Sequence, residues 1–271
     1  MRLATVRTDS GPRAAVWRED GWHALPAPDL SAYLAAHTTA EADGLAGDAL
    51  PGAVPLLPLP APGKVICCGL NYADHITEMG RELPSHPTLF AKYADTLVGP
   101  DAEIRLPDGL DVDWEAELAV VVGTDIRNAG REQAGAAIAG YTVANDISIR
   151  DWQNRTLQWF QGKAWDASTP LGPVVVTPDE IDPVAGVEVT CRVNGVERQR
   201  GNTKTLVFDS AALLAYVSTF TVLRPGDVVL TGTPGGVGMG MTPPTYLADG
   251  DLVEAEVTGI GSIAATIRFS R

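Results

Sequence analysis

The run Leu118–Val122 (LAVVV) is continuously apolar, and two glutamates stand directly before it in Asp113-Trp114-Glu115-Ala116-Glu117. Such a run is expected of a strand buried on both faces. Side chains alternate along a strand, so Glu115 and Glu117 point to one side and Ala116 to the other. A fold that buries this strand must therefore accommodate two carboxylates at its mouth. Buried like charges are costly unless a cation answers them. A divalent ion would do so, and oxygen-only ligands suit Mg2+ or Mn2+ better than Zn2+. A third carboxylate, Asp146, ends the apolar stretch Tyr141–Asn145 in a similar setting. Taken alone, the Glu-x-Glu pattern also describes ordinary strand-end acids facing water.

The rest of the pattern is that of an α+β chain, mainly β. Further strands are expected at Lys64–Cys68, Pro173–Val176, Val187–Val193, Val228–Thr231, Leu252–Val257 and Ser262–Phe269, with helices at Arg131–Ala139 and Ser210–Phe220. Asn194-Gly195, between two strand-like runs, signals a hairpin. Before Lys64 the character differs. Short strands at Leu3–Val6, Ala14–Trp17 and Trp22–Leu25, and a short helix at Asp29–His37, read as a small N-terminal β-rich addition. The segment PGAVPLLPLPAPG at 51–63 is too rich in proline for a helix or a central strand, and reads as a linker. The expected division is a small domain at 1–60 and a catalytic domain at 61–271.

Among the 271 residues, 34 acidic side chains outnumber 20 basic ones, for a formal net charge of −14. So acidic a surface repels phosphate backbones and speaks against nucleic-acid binding. It repels carboxylate substrates too, so an enzyme that takes them needs a local positive centre. The three cysteines, Cys67, Cys68 and Cys191, are odd in number and two are adjacent, which fits reduced core residues rather than a disulfide framework. The N-terminus reaches Arg7 and Asp9 too early for a signal peptide, and no apolar run is long enough to span a membrane. A cytoplasmic protein is expected.

Candidate acid–base groups are few. Of four histidines, His75 lies three residues before Glu78. If residues 73–79 form a helical turn the two share a face, and the carboxylate can fix the imidazole tautomer for proton transfer from water. A surface His–Glu pair is the plainer alternative. The following Gly80–Pro87 stretch reads as a loop able to act as a lid. Lys163, in Gln161-Gly162-Lys163-Ala164-Trp165, sits among aromatic residues where an ammonium can hold a carboxylate or a developing oxyanion. Gly232–Gly238 (GTPGGVG) follows a strand but lacks the Lys-Ser/Thr ending of a phosphate loop, which excludes nucleotide binding. Its amides and the Thr233 hydroxyl are suited to cradling a carboxylate.

Seven segments in order resemble the fumarylacetoacetate hydrolase family: GLNYADHITE at 69–78, FAKYADTLVGP at 90–100, DVDWEAELAVVVG at 111–123, YTVANDISIRDWQ at 141–153, GKAWDASTPLGP at 162–173, GNTKTLVF at 201–208 and LRPGDVVLTGTPGGVG at 223–238. The resemblance implies a mixed β-sandwich or β-roll and usually a homodimer. It implies a Mg2+ or Mn2+ ion held by Glu115, Glu117 and Asp146. It also implies a water-activating dyad of His75 and Glu78, and substrate contacts from Tyr72, Gln153, Lys163 and Thr233. Two departures concern substrate choice: Ala164 and Trp165 stand where members often have Ser and Phe, and Ala264-Ala265 replaces an asparagine common near the family's end.

The expected function is metal-dependent hydrolysis of a C–C bond in a 2,4-dioxo acid of the acylpyruvate or fumarylpyruvate type, through an enolate that the metal stabilises. Decarboxylation of an oxaloacetate-like acid and keto–enol isomerisation use the same electron sink and are the alternatives. A non-catalytic metal-binding protein is the alternative of another class.

Overall fold

The computed structural model describes residues 1–78 and 82–270; the side chains of His75, Thr77 and Glu78 lie outside that description. In chain order the strands and helices are β1 (Arg2–Thr8), β2 (Gly11–Arg18), β3 (Gly21–Ala24), α1 (Leu30–Ala36), α2 (Ala42–Leu45), β4 (Val54–Pro55), β5 (Val65–Gly69), α3 (Ala73–Glu78), β6 (Thr88–Lys92), β7 (Leu97–Val98), β8 (Asp101–Pro107), β9 (Val112–Asp113) and β10 (Ala116–Val122). Then come α4 (Arg131–Ala136), β11 (Ile138–Asn145), β12 (Ser148–Ile149), α5 (Arg150–Gln153), α6 (Phe160–Lys163), β13 (Thr169–Val176), β14 (Glu188–Val193), β15 (Val196–Asn202), α7 (Ser210–Ser218), β16 (Val228–Leu230), β17 (Leu252–Val257) and β18 (Gly261–Ser270).

The fold is mainly β. One mixed sheet runs β3-β2-β1-β13-β11-β10-β16-β5-β6, with β4 attached to β1 and β7 to β13. A second sheet runs β15-β14-β17-β18-β8 and packs across β10, β11 and β13. The apolar run in β10 is interior on both sides. Leu118, Val120 and Val122 enter the core shared with the second sheet, among Val189, Val253 and Ile263. Ala119 and Val121 enter the opposite core, with Leu30, Tyr33 and Leu34 of α1. Glu115 and Glu117 continue the Ala119–Val121 face, by the alternation expected of a strand.

The first three strands are tied to this core. β1 pairs with β13 through Leu3 opposite Val175, so three N-terminal strands extend the main sheet. Asp29 caps α1 rather than joining it, its carboxylate accepting from the Ala32 amide. The helix expected over Arg131–Ala139 stops at Ala136. Ile138–Gly140 are drawn instead into β11, where a Cβ at Gly140 would lie 2.5 Å from the Val176 carbonyl oxygen. Only a residue without a side chain fits so close an approach. Asn194 and Gly195 turn the β14–β15 hairpin with φ of 50° and 76°, as a two-residue turn of that composition should.

Candidate active site

Strand register brings the acids together. β10 and β11 run antiparallel with Ala116 opposite Asn145, so Glu115 lies across from Asp146. The junction is tied twice: the Asp146 amide donates to the Glu115 carbonyl at 2.8 Å, and the Glu115 amide donates to Asn145 Oδ1 at 2.9 Å. Glu115, Glu117 and Asp146 each offer a carboxylate oxygen within 4.8 Å of the others. All three are buried or nearly so.

Two ammonium groups and one guanidinium surround these carboxylates. Lys163 Nζ donates to Glu115 Oε2 at 2.6 Å and to Asp146 Oδ2 at 2.8 Å. Lys92, at the end of β6, donates to Asp146 Oδ1 at 2.5 Å. Arg150 Nη2 pairs with Glu115 Oε1 at 2.7 Å, and Nη1 donates to Gln153 Oε1 at 2.8 Å. Glu117 differs. Among the described residues it has no ion pair, and its Oε2 accepts only the Gly232 amide at 2.6 Å.

The charges respond to this arrangement. Burial pushes the Glu117 carboxyl well above the usual range, and Asp146 and Glu115 push it further. Burial also opposes ionisation of Asp146, but Lys163 and Lys92 outweigh it and hold the carboxyl below its ordinary value. The Lys163 ammonium loses solvation on burial, yet Asp146 and Glu115 more than compensate and hold it above its ordinary value. Among the described residues the cluster thus contains a buried carboxyl, Glu117, with no cation of its own, beside two that are paired with Lys163. That hard-oxygen donor set fits Mg2+ or Mn2+.

A cavity of about 300 Å³ opens onto Glu115 and Lys163. Gln153, Thr233 and Tyr72, the substrate contacts implied by the family resemblance, also line it. Their hydrogen bonding is uneven. The Thr233 hydroxyl donates to the Ala116 carbonyl at 2.9 Å and accepts from Gln199 Nε2 at 2.8 Å, so it anchors the glycine-rich loop to β10. Among the described residues the buried Tyr72 hydroxyl has no hydrogen-bond partner, and burial, then Glu117, pushes its pKa up. The His75 and Glu78 side chains lie outside the described residues. Their backbone is in α3, whose Ile76 reaches the cavity wall.

Sequence reasoning passed over Lys92, Arg150 and Asp113. Asp113 is fully buried and satisfies both its oxygens: Oδ1 accepts from the Trp114 and Gly238 amides, Oδ2 from the Met239 amide and Arg150 Nε, all between 2.7 and 3.0 Å. It joins the glycine-rich loop to the arginine that holds Glu115. The signal was its place two residues before Glu115, at the same strand entry.

Comparison with known proteins agrees with the geometry. The family model described as fumarylacetoacetate (FAA) hydrolase C-terminal matches residues 64–268. A mitochondrial oxaloacetate tautomerase of Xenopus laevis is 46% identical over 212 residues, covering 77% of this chain and 66% of that protein. The chain thus spans about two thirds of that relative's length. Among solved structures, a fumarylacetoacetate hydrolase from Exiguobacterium antarcticum superposes with a TM-score of 0.88 at 36% identity, over the whole of both chains. Fumarylpyruvate hydrolase from Pseudomonas aeruginosa, in complex with Mn2+ and pyruvate, gives 0.69 at 30% identity, covering 77% of this chain and 91% of that one. No helix among the described residues is long and apolar enough to cross a membrane. The chain belongs to the fumarylacetoacetate hydrolase C-terminal family.

Proposed function

We propose that this chain is a divalent-metal-dependent enzyme that interconverts the keto and enol forms of a small 2-oxo acid of the oxaloacetate type. The convergence of Glu115, Glu117 and Asp146 beside Lys163 carries the reading. The three carboxylates would hold Mg2+ or Mn2+, which supplies a Lewis acid toward the oxygens of a 2-oxo acid. The chain's own groups do the rest. Lys163 has three protons on Nζ; two go to Glu115 and Asp146, and the third is left for the substrate's C2 oxygen. Arg150 orients Glu115 from the other side, and Gln153 fixes the guanidinium. In the acid–base role that the family resemblance gives the His75–Glu78 pair, His75 would remove the proton from C3. The name carried by the Xenopus laevis relative supports the substrate class.

A second reading is hydrolysis of an acylpyruvate, with His75 taking its proton from water instead of C3. The segment GLNYADHITE, which carries both members of the dyad, and the fumarylpyruvate hydrolase likeness support it. Loss of the oxaloacetate enol absorbance in borate-free buffer, with Mg2+ or Mn2+ added, tests the first reading; pyruvate release from acetylpyruvate tests the second. The first expects metal-dependent acceleration of enol decay above the buffer rate. Pyruvate release without any effect on the enol would select the second.

A further inference from the structure

One wall of the cavity is built from aromatic rings that the chemistry above does not use. Trp159, the residue before α6, is half-buried and lies on the same short segment as Lys163. Its ring edge sits against Gly69 at the end of β5: a Cβ added there would lie 2.3 Å from Trp159 Cζ3. Gly69 is the residue that lets the indole come so close. Phe90 of β6 meets Trp159 edge-on, with ring centroids 5.6 Å apart and planes 66° apart. Phe90 also lies under Lys163, whose Nζ is 5.1 Å from its ring centroid. The order from the carboxylates outward is therefore Lys163, Phe90, Trp159.

Leu70, Ile76, Val237 and Met239 add apolar surface to the cavity, and Asn71, Asn154 and Thr233 add polar groups. Among the described residues, two cations reach the cavity: Lys163, which holds two carboxylates and keeps one proton for the substrate, and Arg150, which is committed to Asp113, Glu115 and Gln153. A 2-oxo acid held at Glu115 and Lys163 would lie beside this corner, because Phe90 sits under the Lys163 ammonium and shares the cavity with Trp159. Rings pack edge-to-face or offset against other rings, so a flat apolar substituent is the group this corner fits best.

We propose that the Phe90–Trp159 corner is a subsite for an aromatic C3 substituent, and that the chain also enolises 2-oxo acids of the phenylpyruvate class. The inference rests on the enolisation reading. The step is balanced: a C3–H bond breaks, an O–H bond forms at the C2 oxygen, one C=C replaces one C=O, and nothing is oxidised or reduced.

The experiment compares phenylpyruvate with oxaloacetate in wild-type protein and in Trp159→Ala and Trp159→Phe, all loaded with Mg2+. Keto–enol exchange is followed for each substrate, and phenylpyruvate binding is measured separately by calorimetry. The expected result is turnover of both substrates. Trp159→Ala lowers the ratio of kcat/KM for phenylpyruvate over oxaloacetate by about tenfold and weakens phenylpyruvate binding by a similar factor, while Trp159→Phe restores most of both. Unchanged Mn2+ affinity in the variants shows that the fold and the carboxylates are intact. Wild-type protein that enolises oxaloacetate but not phenylpyruvate overturns this inference and leaves the enolisation reading standing. So does an equal loss on both substrates in Trp159→Ala. Protein that enolises neither removes the enolisation reading, and the calorimetry still decides the subsite: binding insensitive to Trp159→Ala overturns it.

Discussion

Lys92 and Asp146 form an ion pair 2.5 Å long in which both side chains are wholly shielded from solvent. Asp146 Oδ2 meets a second ammonium, Lys163, so this one carboxylate is held at both oxygens. Replacing Lys92 by Met keeps the bulk of the side chain but removes the charge. The expected cost is about 3 kcal/mol, because breaking a buried pair leaves the other member undercompensated. Urea denaturation of the metal-free protein checks this. A loss under about 1 kcal/mol would mean that Lys163 alone suffices.

The pH dependence of the metal-free chain should follow Glu117. Its folded pKa is raised above the ordinary 4.5 by burial and by Asp146 and Glu115. A raised pKa means that the folded state binds this proton more tightly than the unfolded state. The contribution to stability is therefore fully present below about 4.5 and is lost as pH rises through the higher folded value. Glu117→Gln should flatten that decline. Denaturation midpoints followed upward from the ordinary carboxyl value of 4.5 provide the comparison. A wild-type profile no steeper than that of the variant would contradict it.

The same proton should compete with metal. Glu117 must ionise to ligate, so Mn2+ affinity rises with pH until its raised pKa is passed, and binding releases protons. Calorimetry in buffers of different ionisation enthalpy reads that release. Identical apparent enthalpies in all buffers would rule it out.

Asp113 accepts four hydrogen bonds, and asparagine cannot reproduce them, since its amide nitrogen would face a donor. Asp113→Asn should cost about 2 kcal/mol and loosen both Arg150 and the glycine-rich loop. Thermal denaturation together with Mn2+ affinity tests this: stability and affinity should fall together. A stable variant with wild-type affinity would remove Asp113 from the support of the site.

His75→Ala should lower enolisation by about a hundredfold or more, the usual worth of a positioned base. Decarboxylation of oxaloacetate takes no proton from C3, so it should survive wherever it is catalysed. Product analysis by NMR follows both reactions in one tube. Loss of both to the same degree would move His75 from proton transfer to a structural part.

Much of this was legible in the sequence because β periodicity is local. Polar–apolar alternation is not needed where a whole run is apolar: Leu118–Val122 announces burial on both faces, and both cores are found there. Glu115 and Glu117 then share a side by parity alone. Asp146 could be suspected from its strand-end position, but its pairing with Glu115 depends on the β10–β11 register, which no local pattern fixes. Lys92 was invisible for the same reason. A lysine ending a short strand reads as a solvated charge, and its partner is 54 residues away. The helix expected over Arg131–Ala139 ran too long because β pairing captured Ile138–Gly140 against local helical character. Thr233, expected as a substrate contact, lines the cavity, and its hydroxyl is committed to Ala116 and Gln199, a role only the packed loop reveals.

In the reading proposed above, Glu115, Glu117 and Asp146 converge to hold one divalent cation. Titration of Mn2+ into chelator-treated protein, with free ion followed by electron paramagnetic resonance, tests it most directly. One Mn2+ should bind per chain in the wild type and be displaced by Mg2+, and none should bind at the same concentrations to Asp146→Asn. Saturable binding that survives both Asp146→Asn and Glu117→Gln, or no binding to the wild type, would contradict it.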